Sequence, residues 1–344
     1  MQIIDPLTDG RWRSLVERHP SACAFHSEGW LRALAETYGY EPMAATASEP
    51  GDELTNALPF CRVKSRITGE RMVSLPFSDH CQPLVDTNTD AQDILEFSVQ
   101  TLLREKVKFV ELRPTYPNLA SLDYSHESAA YCMHWLDLTS PIDTIFGNLH
   151  KDSIQRKIRR AEREKLIYEK GRSPELLERF YSLLIRTRRR HGLPPQPIVW
   201  FRNLIRFMGG AVEIRLALKD QLPVAAIFTL RHANSMIYKY GCSDERYHAT
   251  GAMPFLFWRL IEETKSNSIP ILDFGRSDLD NPGLIRFKDQ WGTRKTDLNY
   301  YRFPAPERTE IGSGRLKRSA EAVFARLPDR VLRIISGMVY RHIG

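Results

Sequence analysis

The sequence lacks the features that would place the protein in a membrane or direct it out of the cell. No uninterrupted apolar run approaches the ~20 residues that a membrane-spanning helix needs. The first residues, Met1-Gln2-Ile3-Ile4-Asp5-Pro6, form neither the basic nor the apolar segment of a secretory signal peptide. We therefore expect a cytoplasmic protein, and peripheral contact with the inner face of the membrane stays an open alternative.

Cysteine is scarce, and the common metal and nucleophile motifs are absent. The 5 cysteines are odd in number and far apart, with no C-x-x-C pair for zinc or redox chemistry. The 10 histidines form no H-E-x-x-H motif and no Ser-His-Asp order. These absences argue against a disulfide-rich protein, a zinc enzyme and a serine hydrolase, so we expect reduced structural thiols and no bound metal.

The composition is that of a globular protein with an excess of positive charge. A chain of 344 residues with 42% hydrophobic and 26% charged residues is long enough for two domains with their own cores. The formal charge of +7 implies attraction to anions. It does not distinguish between nucleic acid, nucleotide phosphates and lipid head groups as the ligand. Much of the charge lies in three clusters, at residues 151–165, at 186–191 and after Arg315.

One pattern of strand, polar loop, helix and strand occurs twice. It is predicted at residues 236–277 and, earlier in the chain, at residues 71–113. Each closing strand also ends in an acid that is followed shortly by an arginine. These pairs are Glu111 with Arg113 and Asp273 with Arg276. We interpret the pattern as an internal duplication, and chance recurrence in an α/β protein is the alternative.

The duplication suggests how the chain divides into domains. Pro141 interrupts the sequence between the two repeats, at a predicted helix start. We predict an N-terminal domain at residues 1–140, a C-terminal domain with the active site at 141–305 and a basic amphipathic helical tail at 306–344. The second domain is entered through a basic helical stretch at 142–191.

Several motifs resemble those of a known family, over about Phe25 to Arg302. They are Phe25-His26-Ser27-Glu28-Gly29-Trp30, Leu58-Pro59-Phe60, Ser74-Leu75-Pro76-Phe77, Ile158-Arg159-Arg160-Ala161-Glu162, Asp273-Phe274-Gly275-Arg276-Ser277 and Phe287-Lys288-x-x-Trp291-Gly292. The last two motifs, a few residues apart, are the most specific mark. On these motifs the chain resembles the FemAB-like and BioF2-like (CelD-like) acyltransferases of the GNAT superfamily. Its first half is similar to the FemAB-related proteins associated with exopolysaccharide and exosortase (PEP-CTERM) systems.

The resemblance implies a fold and an activity. The fold is α/β, with two tandem GNAT-like domains that each contain a mixed twisted sheet flanked by helices. The activity is transfer of an acyl or aminoacyl group from a thioester or ester to an amino or hydroxyl group of a cell-envelope or exopolysaccharide precursor. Acyl-coenzyme A is expected ahead of aminoacyl-tRNA as donor, because acids are interspersed in the basic clusters. The alternative is a non-catalytic protein of this fold that binds an acidic lipid-linked or nucleotide carrier and organises a membrane-side assembly.

The donor site is predicted at the start of a helix. In the resembled fold a helix N-terminus binds the phosphates of the donor, and the matching residues here are Thr250, Gly251 and Ala252. Free backbone N–H groups at a helix start carry partial positive charge and suit an anion. The alternative is structural, with Thr250 as an N-cap and Pro254 in the first turn. The glycine-rich pyrophosphate loop of simple acetyltransferases is absent, so the identity of coenzyme A as the donor stays an open question.

Lys288 is the first candidate for a catalytic residue. It lies between the apolar Phe287 and Trp291, where an ammonium group would stabilise the oxyanion that develops when an amine or hydroxyl attacks an ester or thioester. A lysine at this place is implicated in transfer in the resembled family. The alternative is a solvated lysine on a surface strand or loop.

Asp273 and Arg276 come next, because they end a buried strand, where α/β folds bind ligands. Asp273 is predicted to be catalytic, and Arg276 is predicted to hold a phosphate or carboxylate of the substrate. The alternative is a structural ion pair between the two. The general base is left open among Asp244, Asp273, Asp278 and the substrate itself.

The remaining predicted substrate contacts are aromatic and basic residues. Tyr238 and Tyr240 alternate with Lys239 along a strand, so both tyrosines are expected on one face and in the pocket, with core packing as the alternative. The other candidates are Trp30 and Trp291 from the motifs and Arg159, Arg188 and Arg190 from the basic clusters. For the arginines, solvated faces with local ion pairs are the alternative to phosphate binding.

The tail has an apolar stripe and a formal charge of +5 from Arg315 onward, from seven Arg or Lys less two acids. The stripe consists of Leu316, Val323, Phe324, Leu327, Val331, Ile335, Met338 and Val339. Packing against the protein explains such a helix by default. A basic amphipathic helix also lies readily on an anionic bilayer, so we expect the tail to favour such surfaces and to contribute little to the chemistry.

Overall fold

The computed structural model describes residues 1–105, 107–115, 126–303, 324 and 327–343. Their strands are β1 Gln2–Ile4, β2 Glu41–Thr46, β3 Leu58–Ser65, β4 Gly69–Val73, β5 Val110–Leu112, β6 His126–Asp137, β7 Ile167–Gly171, β8 Val212–Lys219, β9 Leu222–His232, β10 Ser235–Ser243, β11 Ile271–Asp278 and β12 Arg294–Phe303. Their α-helices are α1 Arg11–Arg18, α2 Glu28–Tyr38, α3 Asn88–Arg104, α4 Ile142–Asn148, α5 Arg156–Arg163, α6 Pro174–Arg190, α7 Ile198–Met208, α8 Ala252–Ser266, α9 Pro282–Asp289 and α10 Asp329–Tyr340.

The same succession of elements occurs twice along the chain. The first half reads β1-α1-α2-β2-β3-β4-α3-β5, and the second half reads β7-α6-α7-β8-β9-β10-α8-β11. In each half the two strands that flank the last helix are parallel, β4 with β5 and β10 with β11. The predicted α/β class and the tandem arrangement are therefore confirmed.

The two halves exchange their last strands. In the single 12-stranded sheet the order is β1-β2-β3-β4-β5-β12-β6-β11-β10-β9-β8-β7. Strand β6 follows the first half in the chain but pairs with β11, and β12 follows the second half but pairs with β5. These two strands also pair with each other in the middle of the sheet. The predicted boundary between residues 140 and 141 thus falls in the connection from β6 to α4, and the sheet is continuous across it.

The predicted helical stretch at residues 142–191 is interrupted. Helix α5 ends before Lys165, whose φ of +54° is a left-handed conformation that a helix cannot continue through. The chain then forms β7, which pairs with β8 at the edge of the sheet. Helix α6 follows, and its Leu177, Phe180 and Leu184 side chains are buried. The Ser173 hydroxyl accepts a hydrogen bond from the Leu176 N–H and caps its start.

Apolar side chains cover both faces of the sheet. Helices α1, α2, α6 and α7 pack on one face, in a core that includes Trp12, Trp30, Phe180 and Phe201. Helices α4, α5 and α8 pack on the other face of the second half, in a core that includes Phe257. Helix α3 completes a third core over β2 to β5.

The last described segment packs on the protein. Among the described side chains of α10, the buried ones are Leu332, Ser336 and Tyr340, which lie on one side of the helix at spacings of four. The predicted stripe is therefore wrong for Val331 and Met338, which are exposed. Phe324 and Leu327 of the stripe pack against the core, whereas Leu316 and Val323 lie outside the described residues. Within the described part of the chain, no helix combines the length and the apolar content required to cross a bilayer.

Candidate active site

The central feature of the site is an opening between β10 and β11. The two strands pair only where residues 235–237 face residues 271–273. Beyond this point each strand has a bulge, in β10 between Tyr238 and Tyr240 and in β11 between Asp273 and Arg276. Bulges bend a strand and redirect its side chains, and the two strands do not pair beyond these residues.

The bulge in β10 separates the two tyrosines. The Tyr238 ring lies 4.7 Å from the ring of Phe257 in α8, whereas the Tyr240 ring lies 5.1 Å from the ring of Phe201 in α7. The expectation that both tyrosines share a face is wrong, because the extra residue, Lys239, shifts the alternation by one.

Lys288 is buried, with 2% of its surface exposed, so it is not the solvated surface lysine of the alternative interpretation. It lies in α9, and its Nζ donates hydrogen bonds to the carbonyl oxygens of Gly275 at 2.7 Å and Arg276 at 2.9 Å. Burial lowers the pKa of Lys288 to about 8, so the side chain is largely charged at neutral pH. Two of its three N–H groups are engaged in these hydrogen bonds.

Asp273 and Arg276 bond to other groups rather than to each other. The Asp273 carboxylate accepts the Gly275 N–H at 2.6 Å and lies 3.1 Å from Nε2 of His80. The Arg276 guanidinium donates to the Tyr300 hydroxyl at 2.7 Å. The alternative of a mutual ion pair is therefore wrong. Gly275 itself has a φ of +71°, and a side chain there would come within 3.0 Å of the Asp79 carboxylate.

A basic cavity of about 460 Å³ lies next to this opening, between the two halves. Among the described residues, six cationic side chains and two acidic ones line its walls. The cations are Arg71, Arg113, Arg188, Lys239, Arg276 and Arg302, and the acids are Asp79 and Glu111. With a net excess of four positive charges, the cavity favours an anionic ligand.

Most of the cavity's charged side chains already have partners. Lys239 Nζ lies 2.8 Å from Asp79, and burial lowers the pKa of Lys239 while that carboxylate opposes the shift. Glu111 lies 2.9 Å from Arg113 and 2.9 Å from Arg302, and these two arginines keep the pKa of Glu111 low against the effect of burial. No ion pair or side-chain hydrogen bond of Arg188 joins it to another residue in the described part of the chain.

Sequence reasoning missed the loop that follows β4. Its Asp79 and His80 reach Lys239 and Asp273 of the second half, across 160 and 193 residues of chain. Within the loop, Leu75 and Phe77 have φ values of +52° and +62°, which strain non-glycine residues. The Ser74-Leu75-Pro76-Phe77 motif is the signal that could have found this loop, although nothing in it shows which residues the loop meets.

The two predicted tryptophans are fully buried. Trp30 packs against Phe25 and Trp200, and Trp291 packs against Phe257 and Phe274. Neither side chain lines the basic cavity. Their burial supports packing roles, and contact of Trp30 or Trp291 with a substrate stays a prediction.

The three predicted arginines lie in different places. Arg188 lines the cavity. Arg190 lies outside it and pairs with Glu245 at 3.3 Å. Arg159 is exposed, with its guanidinium 5.7 Å from the centre of the Phe146 ring. Of the three, only Arg188 is in position to contact a ligand in the cavity.

The predicted donor-phosphate residues lie at the junction of α8 and α5. Gly251, rather than Thr250, is the N-cap of α8, and its φ is +80°. Thr250 instead donates its hydroxyl proton to the Tyr247 carbonyl at 2.7 Å, so its interpretation as the N-cap is wrong, whereas Pro254 does lie in the first turn. A side chain at Gly251 would come within 2.2 Å of the Lys157 carbonyl oxygen. Close packing accounts for this glycine, and phosphate binding at Thr250, Gly251 and Ala252 stays a prediction.

The carboxylates considered as bases differ in surroundings. A hydrogen bond from Arg246 lowers the pKa of Asp244 to about 2, which makes Asp244 a weak base. Asp278 is exposed at the end of β11. Among the described residues, no group of three or more His, Cys, Asp or Glu side chains is arranged to hold a metal ion.

Comparisons with known proteins bear on the fold. Residues 149–289 match the family model of the acetyltransferase (GNAT) domain. FemX is similar over 93% of this chain and 100% of its own, with 14% identity and a TM-score of 0.70. The C-terminal domain of a putative lysylphosphatidylglycerol synthetase from Agrobacterium fabrum is similar over 91% and 95%, with 13% identity and a TM-score of 0.58.

A tandem GNAT protein from the clavulanic acid biosynthesis pathway is similar over 89% of this chain and 99% of its own, with 13% identity and a TM-score of 0.56. A comparison with curated protein sequences finds no match. At such identities the structural likeness is one of fold. Residues 149–289 are thus similar to the acetyltransferase (GNAT) domain, and the described chain has a fold like those of FemX and of a tandem GNAT protein.

Proposed function

We propose that the protein is an acyltransferase that moves an acyl or aminoacyl group from a thioester or ester to an amino or hydroxyl group of an acidic acceptor. One observation carries the proposal. The Gly275–Arg276 backbone accepts two hydrogen bonds from Lys288, while the Arg276 side chain lines the basic cavity. The proposed catalytic ammonium of Lys288 and the proposed anion-binding cavity are therefore both next to Gly275 and Arg276.

Lys288 supports the transfer step electrostatically. When the acceptor attacks the carbonyl carbon of the donor, negative charge collects on the carbonyl oxygen, and the third N–H of Lys288 is available to bond it. Because the ammonium is held by two carbonyl groups in a buried place, it needs little reorganisation during the reaction. The thiol or hydroxyl leaves when the carbonyl reforms.

His80 and Asp273 support a role in proton transfer. The carboxylate requires a donor, so the proton of His80 is placed on Nε2, which leaves Nδ1 as an acceptor. His80 Nδ1 is buried and has no hydrogen-bond partner among the described residues. In this proposal Nδ1 takes the proton of the attacking amine or hydroxyl and returns it to the leaving group, and Asp273 orients the ring.

The cavity supports an acidic acceptor, which we propose is a cell-envelope or exopolysaccharide precursor. Its excess of cations favours a phosphate or carboxylate, and Arg188 has a guanidinium without a partner in the described chain to bind one. The description of one structural neighbour as a putative lysylphosphatidylglycerol synthetase is in keeping with transfer to an acidic molecule.

Acyl-coenzyme A is the donor that we propose ahead of aminoacyl-tRNA. Arginines of the cluster at residues 186–191 pair with acids, which reduces their attraction for an RNA backbone. These pairs are Arg186 with Asp244, Arg189 with Asp329 and Arg190 with Glu245.

One observation favours a second function, the non-catalytic binding of an acidic lipid-linked or nucleotide carrier. The Lys157 carbonyl oxygen occupies the space beside Gly251, at the helix start where donor phosphates were predicted to bind. A carbonyl oxygen repels phosphate, so donor binding at this helix start is disfavoured in this conformation. Binding of a carrier without turnover would support this alternative.

The test combines two measurements on the full-length protein. Mass spectrometry of the small molecules that co-purify with it should identify a bound donor or acceptor. A donor-consumption screen should then compare coenzyme A thioesters with charged tRNA, using Lys288→Met as the inactive variant. Lys64→Met, at an exposed lysine of β3, is the matched control. Donor consumption that is equal in both variants would contradict the proposed site.

A further inference from the structure

The C-terminal segment, residues 327–343, connects the two halves at the basic cavity. Its Tyr340 lines the cavity. The Tyr40 hydroxyl, just before β2, donates to the Tyr340 carbonyl at 2.9 Å. The Tyr340 hydroxyl in turn donates to the Pro194 carbonyl, between α6 and α7, at 3.1 Å. One residue of the segment is thus bonded to both halves.

The segment also fixes a cationic side chain of the cavity wall. Arg71, in β4, donates to the His342 carbonyl at 2.9 Å, and the Thr68 hydroxyl donates to the same oxygen at 3.1 Å. Nδ1 of His342 lies 2.9 Å from the Ser65 hydroxyl. These contacts hold the C-terminal segment against the first half, and its Tyr340 and Ile343 form part of the cavity wall.

Gln196 faces the same cavity with an unsatisfied side chain. It is 7% exposed, and its Oε1 has no hydrogen-bond partner among the described residues. Its backbone is held firmly, because the Tyr181 hydroxyl donates to the Gln196 carbonyl at 2.9 Å. A buried amide oxygen without a donor is unfavourable, so this side chain is suited to accept a hydrogen bond from a ligand.

Arg188, Gln196 and Tyr340 are structurally linked. The Leu193 N–H donates to the Arg188 carbonyl at 2.9 Å and closes the end of α6, from which the chain leads to Gln196. Tyr340 bonds to the Pro194 carbonyl in the same connection. Arg188, whose side chain has no partner among the described residues, and the Gln196 amide oxygen, which accepts no hydrogen bond from them, are thereby presented to one cavity beside the C-terminal segment.

We propose that Arg188, Gln196 and Tyr340 form a subsite that recognises an acid group with a neighbouring hydroxyl or amide N–H on the acceptor. The inference rests on the proposed function, because it names the chemistry of the acceptor at that same site. Arg188 bonds the phosphate or carboxylate, and Gln196 accepts the neighbouring hydrogen. Tyr340 forms the wall that limits the size of the group, so the C-terminal segment determines specificity.

The subsite can be tested by calorimetric titration of the full-length protein with three probes. Glucose 1-phosphate and gluconate carry an acid group beside hydroxyls and distinguish a phosphate from a carboxylate, whereas sulfate is an acid without a donor hydrogen. We expect at least one of the first two probes to bind more tightly than sulfate. Equal binding of all three, or no binding of glucose 1-phosphate and gluconate, would overturn the proposal.

Substitutions test the role of each residue in the subsite. Gln196→Leu should weaken the preferred probe by ~10-fold, the value of about one hydrogen bond, and leave sulfate unchanged. Arg188→Met should weaken all probes that bind. Tyr340→Phe keeps the ring and should retain binding, whereas Tyr340→Ala should reduce the preference over sulfate. Met338→Ala, at an exposed position of α10, is the control for changes to that helix.

The results also separate the subsite from the proposed function. Unchanged probe binding in Gln196→Leu and Tyr340→Ala would reject the subsite, even where acyl transfer is observed. Normal probe preference in a protein that consumes no donor would reject the acyltransferase function and leave the subsite standing.

Discussion

The guanidinium groups of Arg113 and Arg276 lie on the same aromatic ring, 4.9 and 5.2 Å from the centre of Tyr300. The two arginines occupy corresponding places after β5 and in β11, and Tyr300 belongs to β12, which pairs between the two halves. Tyr300 also donates its hydroxyl proton to the Asp79 carbonyl at 2.6 Å. The duplicated acid-and-arginine pattern of the sequence therefore converges on the wall of one cavity.

The two arginines should respond differently to replacement. Arg276→Met removes a cation of the cavity wall and should raise the KM for the acceptor, with a smaller loss of folding stability than Arg113→Met. Arg113→Met breaks a buried ion pair with Glu111, so it should lower the free energy of unfolding by on the order of 3 kcal/mol. Steady-state kinetics and urea denaturation measure the two effects. The opposite assignment, with Arg276→Met as the destabilised variant, would contradict this division of roles.

Lys288→Met should lower kcat by about a hundredfold or more, as the loss of one oxyanion donor costs ~3 kcal/mol. Donor affinity should change much less. Since Lys288 bonds two buried carbonyl groups, the variant should also lose about 1–3 kcal/mol of folding stability. Denaturant titration beside the kinetics separates the two losses. A variant with normal kcat would remove Lys288 from the chemistry, and a raised KM alone would make it a binding residue.

The pH dependence of turnover provides a second test of Lys288. Its pKa in the folded protein, about 8, lies below the ordinary value of 10.5, because burial disfavours the charged form. If the ammonium is required, kcat should fall as the pH rises through about 8. At pH values between these two pKa values, Lys288 binds more protons in the unfolded chain than in the folded protein. The free energy of unfolding therefore increases with pH in this range, because the cost of burying the charged lysine disappears. A kcat that is constant to pH values well above 8 would contradict the need for the charged form.

His80→Gln should lower kcat about a hundredfold, since it removes the proposed proton acceptor while a side chain of similar reach can still bond Asp273. The KM for the donor should stay close to that of the wild type. Pre-steady-state measurement of acyl transfer, with donor at saturation, reports the chemical step directly. An unchanged transfer rate would show that the proton leaves by another route, such as the substrate itself.

Gly251→Ala should destabilise the protein by at least about 2 kcal/mol, through the positive φ and the nearby Lys157 carbonyl. Gly147→Ala is the matched control, because Gly147 lies in α4 with no atom near its would-be Cβ, and it should gain ~0.5–1 kcal/mol. Thermal and urea denaturation measure both changes. Normal stability of Gly251→Ala together with a selective loss of donor binding would restore the phosphate-binding interpretation of this helix start.

Much of the fold could be predicted from the sequence because it depends on local patterns. Apolar spacing indicates α6 and α8, and the repeated strand, loop, helix and strand units indicate the duplication. The contacts of Asp79 and His80 could not be predicted, since they join residues 160 and 193 positions apart. The bulge at Lys239 was equally hidden, because period-2 alternation contains no sign of an inserted residue.

The exchange of β6 and β12 makes the two halves thermodynamically dependent on each other. A chain cut between β6 and α4 would leave β6 without β11 and β5 without β12, with unpaired strand edges on both pieces. Neither half then has a complete sheet around which to fold, although each half resembles a domain that could fold alone. The protein should therefore unfold in one cooperative transition, with the central cavity lost together with both halves.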